Sequence, residues 1–461
     1  MGSAQKLERM TAAEAKSAFW LSGIFSLRML GLFMILPVFV LYATHFEGAT
    51  PVLAGLAVGI YGLGQALFQI PFGMLSDRFG RKRIIVIGLV LFALGSVVAA
   101  MSDTIWGVIC GRILQGSGAI SAAVMALAAD LTREEHRTKV MAVIGMSMGL
   151  SFAAAMVLGP IINVWIGVPG IFWLTAILAL LGIAVVVWMV PQPIKSRVHR
   201  DAEPVAGQFR GVICDPQLVR LNYGIFSLHA ILMATFVAVP LALRDVAGLP
   251  AAQHWELYLP ALVISLAAVF PLIIVAEKFR RMKAVFLGAI FALCLTQLGF
   301  MKLHDNVLEI GTLLVLFFVS FNLLEAALPS LISKTAPPDA KGTALGVYSS
   351  SQFVGAFVGG AMGGWMHGSF GLPGVFAFAS LVALAWFFLA YTMKSPRYLS
   401  SYVLPVGALS EPDAQRLAWR LTQVQGVAEA VVIAGDGVAY LKVDRHALDE
   451  TALRTFVIIE A

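Results

Sequence analysis

Long apolar stretches dominate the chain and alternate with short polar connections. A helix needs about 20 apolar residues to cross the roughly 30 Å hydrocarbon layer of a membrane. Twelve such stretches can be read, and they predict an all-α membrane protein with twelve transmembrane helices. They cover residues 17–42, 52–75, 84–101, 105–129, 140–165, 170–190, 218–243, 255–276, 284–301, 308–332, 342–367 and 373–393.

The stretches fall into two sets of six that have nearly equal length. The first set covers residues 17–190 and the second covers 218–393, and a polar, basic segment at 191–217 joins them. A short polar segment, 1–16, precedes the first set. We therefore predict two six-helix bundles that arose by internal duplication and are joined by a cytoplasmic linker.

Composition excludes the common classes of soluble protein. Of the 461 residues, 59% are hydrophobic and 13% are charged, whereas a soluble domain carries about 25% charged residues. Cys110, Cys214 and Cys294 lie far apart without a paired pattern, so we predict neither a disulfide nor a metal site. Metalloprotease, phosphate-loop and nucleophile-elbow motifs are absent from the sequence, so it predicts neither an enzyme nor a bound cofactor.

Basic residues are concentrated in the connections on one side of the predicted bundle. Seventeen Lys and Arg residues lie on that side, and only Arg244 and Lys302 lie on the other. Positively charged loops remain in the cytoplasm, so we expect both termini there and the bundle in a bacterial-type inner membrane. The basic residues that give the net charge of +6 then contact lipid headgroups, and nucleic-acid binding is not expected.

A charged, glycine-containing loop follows the second stretch. Residues 73–83 read Gly-Met-Leu-Ser-Asp-Arg-Phe-Gly-Arg-Lys-Arg, and a degenerate acid–base–Phe copy lies at 277–283, after the eighth stretch. The loop resembles motif A of the major facilitator superfamily at every position. The two copies in matching places also support the internal duplication.

Three further patterns narrow the resemblance. The fourth stretch carries Arg-x-x-Gln-Gly-x-Gly at 112–118, which is similar to motif B of the drug:proton antiporters of that superfamily. The fifth stretch keeps Gly159-Pro160 of an antiporter motif but lacks its other glycines. The segment Phe321–Pro329, together with a small C-terminal domain, resembles the YajR subgroup.

The resemblance implies that the motif A loop is a charge latch between the two bundles on the cytoplasmic side. Asp77 is expected to face the positive N-terminal end of the eleventh helix, near Gly342, and Arg81 is expected to pair with Asp130 at the end of the fourth stretch. The latch would hold the outward-open state and break for inward opening. Its residues are Gly73, Asp77, Arg78, Gly80, Arg81 and Asp130.

Four ionisable residues stand out well inside the predicted helices, where a charge at mid-bilayer costs at least about 2.5–3.5 kcal/mol. Glu325 is the one acid deep in a stretch, and we predict that it carries a coupled proton; the alternative is a structural ion pair or hydrogen bond. Arg28 and Arg112 either balance an acid or an anionic substrate, or brace the helices through hydrogen bonds. His229 either belongs to the transport cavity or is a buried group satisfied by its neighbours.

Polar residues on helices that line the central cavity in this family complete the candidate site. With the ionisable residues, the predicted transport cavity comprises Arg28, Gln65, Gln69, Arg112, Gln115, His229, Asn322 and Gln352.

Residues 394–461 have the composition of a soluble domain and predict strand, helix, two strands and a last helix. This βαββα order indicates a small α+β, ferredoxin-like cytoplasmic domain. Its loop at 407–412 has no cysteine, so copper binding is not expected. Because so small a domain buries little apolar surface, we expect it to self-associate or to bind a cytosolic partner.

These features predict a secondary transporter that works by alternating access about a site near the membrane midplane. We expect proton-coupled efflux of small molecules, amphipathic ones among them, with protons and lipid as the other partners. The alternatives are a facilitator-type importer or uniporter, and a membrane sensor that signals through its cytoplasmic domain.

Overall fold

Helices form almost all of the described residues ahead of residue 400. The computed structural model describes residues 10–192, 206–337, 340–394, 400–407, 409–434, 437–444 and 447–456. The helices of the membrane region are α1 (Ala12–Phe33), α2 (Phe39–Tyr42), α3 (Pro51–Phe79), α4 (Arg81–Ala100), α5 (Ile105–Ser117), α6 (Ser121–Asp130), α7 (Glu134–Trp188), α8 (Phe209–Cys214), α9 (Pro216–Leu241), α10 (His254–Lys278), α11 (Met282–Lys302), α12 (Val307–Thr335) and α13 (Lys341–Tyr391).

The helices cross a membrane twelve times, as the sequence predicts. Nine helical stretches of the described chain are long and apolar enough to cross, with α5 and α6 forming one of them. Two of the nine, α7 and α13, each contain a glycine with non-helical backbone angles and therefore make two crossings. With α1 as the first crossing, the predicted all-α membrane fold is confirmed.

The two long helices break at equivalent places in the two halves. Gly167 in α7 and Gly371 in α13 have φ of +65° and +67°, which only glycine adopts easily. Each is followed by proline, in the hexapeptides GVPGIF at 167–172 and GLPGVF at 371–376. These hexapeptides are a second internal repeat, besides the related loops at 73–83 and 277–283.

Two predicted helices are shorter than their apolar stretches. The first ends at Phe33, and a turn that contains Pro37 separates it from α2, because proline cannot donate the hydrogen bond that continues a helix. The fourth is interrupted at Gly118, where the backbone packs directly against the Gly88 carbonyl. The predicted linker is described only in part, since 193–205 lie outside the described residues.

The two halves meet along a row of small residues on α3 and α13. We call the end of the bundle that carries Arg81 the basic end, and the other end the distal end. At Gly360 of α13 an added Cβ would lie only 2.6 Å from the backbone nitrogen of Gly59 of α3. Gly55 and Gly364 make a similarly close approach. These contacts lie in the distal parts of both helices, so the structure is closed at the distal end.

A bulky side chain in this row should prevent distal closure. We expect Gly360→Leu to shift the protein toward a distal-open state, because the leucine would collide with the α3 backbone. A cysteine placed at Ala54, which is buried beside the row, should then react faster with maleimide in a chain without its native cysteines.

The matched control is Gly288→Leu in α11, where nothing lies within 4 Å of an added Cβ. Equal labelling of Ala54→Cys in both variants would contradict the closure at this row.

The C-terminal residues form a separate small core around a three-stranded antiparallel sheet. Its elements are β1 (Ser400–Pro405), α14 (Glu411–Thr422), β2 (Val427–Ile433), β3 (Val438–Val443) and α15 (Glu450–Arg454). The strand order is β1-β3-β2, and Leu404, Leu421, Leu441 and Leu453 are buried together. The predicted α+β domain is thereby confirmed. The predicted turn between β2 and β3 includes 435 and 436, which lie outside the described residues.

A buried lysine docks this sheet on the end of α12. The ammonium group of Lys442 on β3 donates to the carbonyl oxygens of Ser333 and Lys334, at 2.9 Å each, in the last turn of α12. Cations are favourable at a helix C-terminal end. Burial, together with the nearby charge of Lys341, nevertheless lowers the pKa of Lys442 to about 8.

This lowered pKa gives the docking a definite pH dependence. Between about pH 8 and the ordinary lysine pKa of about 10.4, the undocked lysine holds a proton that the docked lysine has released. Docking should therefore strengthen as the pH rises through this window.

Spin labels at the exposed residues Trp419 and Phe279 would report docking as a narrow distance distribution. We expect Lys442→Met to broaden it and to remove the pH dependence, whereas Arg416→Met, on the exposed face of α14, should change neither. An unaltered distribution in Lys442→Met would mean that other contacts hold the domain.

Candidate functional site

Charged side chains meet at the basic end of the first half. Arg81 begins α4 directly after Gly80, whose φ of +95° allows the sharp turn out of α3. Its guanidinium donates to the Asp130 carboxylate at 3.1 Å and to the Ser76 hydroxyl at 2.8 Å, and it also contacts the Asp77 carboxylate. We call Asp77, Arg81 and Asp130 the basic-end cluster.

The basic-end cluster ties three helices of one half together. Asp77 lies at the end of α3, Arg81 at the start of α4 and Asp130 at the end of α6. The side chains of Arg81 and Asp130 are 1% and 0% exposed, whereas Asp77 is 28% exposed. Removing one partner of a buried ion pair costs about 3–5 kcal/mol, so this pair fixes the geometry of the loop.

The structure does not bring Asp77 to its expected partner on the eleventh helix. Within the described residues, no hydrogen bond joins Asp77 to the first turn of α13, which begins at Lys341. The halves meet at the distal end instead. In this distal-closed state the basic-end cluster therefore holds together one half and leaves the partly exposed Asp77 available to a moving helix.

The other two latch residues have different surroundings. Gly73 lies where α3 packs on α6, and a Cβ there would lie 3.1 Å from that of Ala122. Arg78 is exposed, with its guanidinium carbon 5.5 Å from the ring centre of Phe79.

A second ion pair, between the buried Glu14 and the partly exposed Arg133, lies beside the basic-end cluster. Both oxygens of the Glu14 carboxylate accept hydrogen bonds of 3.0 Å from the Arg133 guanidinium, and one also accepts from the Arg133 backbone N–H. Glu14 and Thr11 form a capping box at the start of α1, and their spacing is visible in the sequence. The partner, 119 residues away, gives no sequence signal. Because Arg133 follows Asp130 by three residues, the pair anchors the connection that carries Asp130.

Arg28 is fully enclosed within the first half. One of its terminal nitrogens donates to the Tyr61 hydroxyl at 2.8 Å, to Gln65 at 2.6 Å and to the Gly118 carbonyl at 3.0 Å. The amide of Gln65 in turn donates to Gln69. These bonds connect α1, α3 and the α5–α6 break, which is the bracing arrangement that was one of the two alternatives.

Arg112 is bonded mainly to backbone. It donates to the carbonyl oxygens of Ala57 and Val58, at 3.2 Å each, and to the side chain of Gln115 at 3.0 Å. The Gln115 amide donates to Ser96. Arg112 therefore joins α5 to α3 through neutral acceptors.

The second half carries a different polar group. Nε2 of His229 lies 2.8 Å from the Gln352 amide nitrogen and 4.0 Å from a carboxylate oxygen of Glu325. Nδ1 of His229 lies 3.3 Å from the Ile225 carbonyl. A proton on Nδ1 lets both ring nitrogens be satisfied with the histidine neutral. The Oε2 atom of Glu325 is buried and has no hydrogen-bond partner in the described chain.

A cavity lies between the halves, beside these groups. Most of its surface is apolar, and Arg112, Tyr61, His229 and Gln352 add polar groups from both halves. Its lining is Met29, Leu32, Phe33, Ile35, Leu36, Val58, Gly59, Tyr61, Gly62, Arg112, Met148, His229, Met233, Gln352, Phe353 and Ala356.

The predicted cavity residues thus divide into two groups. Arg112, His229 and Gln352 line the cavity, whereas the remaining five support the surrounding helices. Those five are Arg28, Gln65, Gln69, Gln115 and Asn322, the last of which donates to Ser265. The methionines and Phe33 were missed, because such residues are ordinary inside an apolar stretch.

Comparison with known proteins identifies the family. A family model described as Major Facilitator Superfamily matches residues 21–357 and 262–420. The chain belongs to the Major Facilitator Superfamily. The resemblance read from the loop at 73–83 is therefore confirmed.

Relatives within the superfamily include transport proteins of enteric bacteria. The "Inner membrane transport protein YajR" of Escherichia coli (strain K12) is 49% identical over 436 residues, which cover 95% of this chain and 96% of that protein. The "Multidrug resistance protein MdtH" of Proteus mirabilis is 25% identical over 344 residues, with 74% and 84% covered.

Solved structures of the superfamily share the fold. A bacterial homologue of the human lysosomal transporter Spinster, crystallised inward-facing and occupied, matches with a TM-score of 0.65 at 15% identity. The match covers 84% of this chain and 98% of that one.

The basic-end cluster yields a test of the latch. We expect Asp77→Asn and Arg81→Ala to reduce transport while the protein still inserts, because a latch that holds the distal-open state would be lost. Labelling of Ala54→Cys should become slower in both. Arg78→Ala, which removes an exposed charge from the same loop, is the control. Full transport in both variants would mean that the loop only sets the orientation of the protein in the membrane.

Proposed function

We propose that the chain is a proton-coupled secondary transporter that exports small amphipathic molecules across a bacterial inner membrane by alternating access. Membership of the superfamily supports transport. The names of the YajR and MdtH relatives support the inner membrane and the outward direction. A largely apolar cavity with a few polar groups suits an amphipathic substrate.

The proposed proton coupling rests on the position of Glu325. In the described chain it is the one acid far from either end of a membrane-spanning helix. The Glu325 side chain is 31% exposed, but its Oε2 atom is buried and has no hydrogen-bond partner in the described chain, and a medium of low dielectric disfavours an ionised carboxylate. A proton on Glu325 would remove that cost, so protonation is coupled to how the helices surround it.

Rocking of the halves would expose Glu325 to the two sides in turn. The carboxyl would take up a proton on the acidic side and release it on the other, where the helices admit water. Each proton that crosses a potential of 100 mV supplies about 2.3 kcal/mol. His229, 4.0 Å away, can hold or pass the proton through its ring nitrogens.

The positive-inside rule supports a cytoplasmic position for the basic end. This places both termini and the C-terminal domain inside the cell, with the latch facing the cytoplasm and the glycine row facing the periplasm.

A membrane sensor that transports little is the second candidate. It is favoured by the docking of Lys442 on α12, because α12 is also the helix that carries Glu325. A flux assay separates the two: a proton-driven exporter concentrates substrate inside inverted vesicles, an importer or uniporter does not, and a sensor shows almost no flux.

Glu325→Gln should abolish gradient-driven transport, because the amide imitates the protonated acid and cannot cycle. The measurement is accumulation of a panel of cationic, neutral and anionic amphipathic dyes in inverted vesicles, with binding followed from pH 5 to 8. We expect the variant to bind those dyes that wild type transports, without the pH dependence of wild type.

Glu256→Gln makes the same change at an exposed residue in the first turn of α10 and should behave as wild type. If Glu325→Gln keeps full active transport and the native pH dependence, Glu325 is a structural group and the coupling site lies elsewhere.

A further inference from the structure

The guanidinium group of Arg244 forms a hydrogen bond between the two halves at the distal end. Arg244 lies in the π-helical turn Ala242–Val246 that follows α9, in the second half. Its Nη1 donates at 3.1 Å to the carbonyl oxygen of Leu41 in α2, which belongs to the first half. A π-turn is rare and occurs often at functional sites. The bond spans the same end of the bundle that the glycine row closes.

The neighbouring acid sets the orientation of this guanidinium. Asp245 accepts from Nε of Arg244 at 2.6 Å and from Nη2 at 3.0 Å. The two parallel bonds use one edge of the guanidinium fork. They leave Nη1 directed at Leu41, whose carbonyl lies in a short helix that ends one residue later and has spare acceptor capacity.

The positive-inside rule does not explain why Arg244 lies at the distal end. Arg244 and Lys302 are the two basic residues in the connections of the distal end, where the positive-inside rule disfavours them. Lys302 is exposed at the end of α11, whereas Arg244 contacts the other half.

We propose that Arg244, oriented by Asp245, is a reversible latch that stabilises the distal-closed state. The glycine row lets the helices approach closely through backbone contacts, and the latch adds a directional hydrogen bond that breaks when the halves separate. It counteracts the basic-end cluster, which is expected to favour the distal-open state. The proposal rests on the alternating access of the proposed function.

The test uses the full chain in nanodiscs, with Ala54→Cys as the one cysteine and a maleimide as probe. Arg244→Gln replaces the charged guanidinium with a shorter, neutral amide that lacks its forked geometry. Asp245→Asn leaves the arginine in place and weakens its orientation. We expect labelling to accelerate about tenfold in Arg244→Gln and by a smaller factor in Asp245→Asn, as expected for loss of a hydrogen bond to a charged group.

The two substitutions change the net charge in opposite directions, so a pure charge effect would move labelling in opposite directions. Lys302→Gln, which removes the other distal cation, should leave the rate unchanged. Unchanged labelling in Arg244→Gln, slower labelling in Asp245→Asn, or equal acceleration in Lys302→Gln would overturn the latch. If Ala54→Cys stays unreactive even in Gly360→Leu, alternating access itself fails and the proposed function fails with it.

Discussion

Polar groups in a hydrocarbon layer must find their partners within the protein, and this constraint organises the bundle. Water cannot satisfy a guanidinium or an amide there. One terminal nitrogen of Arg28 therefore donates to a hydroxyl, an amide oxygen and a carbonyl, and Arg112 donates to two backbone carbonyls and to Gln115. All of these acceptors except Gln115 lie on other elements of the same half, so the bonds that solvate the two guanidinium groups also hold the first half together.

The contact between the halves is of another kind. Along α3 and α13 the backbones touch at glycines, in van der Waals contact. Close packing of small residues holds membrane helices together without a hydrophobic driving force. A row of this kind can separate at a low cost. Rigid halves with a separable contact are the mechanical requirement of alternating access.

The sequence could predict the fold because lipid imposes a simple rule on composition, and soluble proteins rarely contain apolar stretches of this length and number. The charged loop at 73–83 could be recognised because it combines glycines and charged residues at a characteristic spacing. The contacts that the sequence could not predict join residues that lie far apart along the chain. Glu14 meets Arg133 only after α6 ends, and Arg244 meets Leu41 only after a π-turn shifts its register. Cavity residues such as Met148 and Met233 stand in apolar stretches like many others, so no local pattern distinguishes them.

We propose that proton binding at Glu325 shifts the balance between two arrangements of the halves. The most direct measurement is the distance between spin labels at Phe79 and Phe279, exposed residues at the basic ends of α3 and α10, in nanodiscs at pH 5.5 and pH 8. We expect two distances whose proportions change with pH in the wild type and stay fixed in Glu325→Gln. A single distance at both pH values, or the same pH dependence in Glu325→Gln, would contradict it.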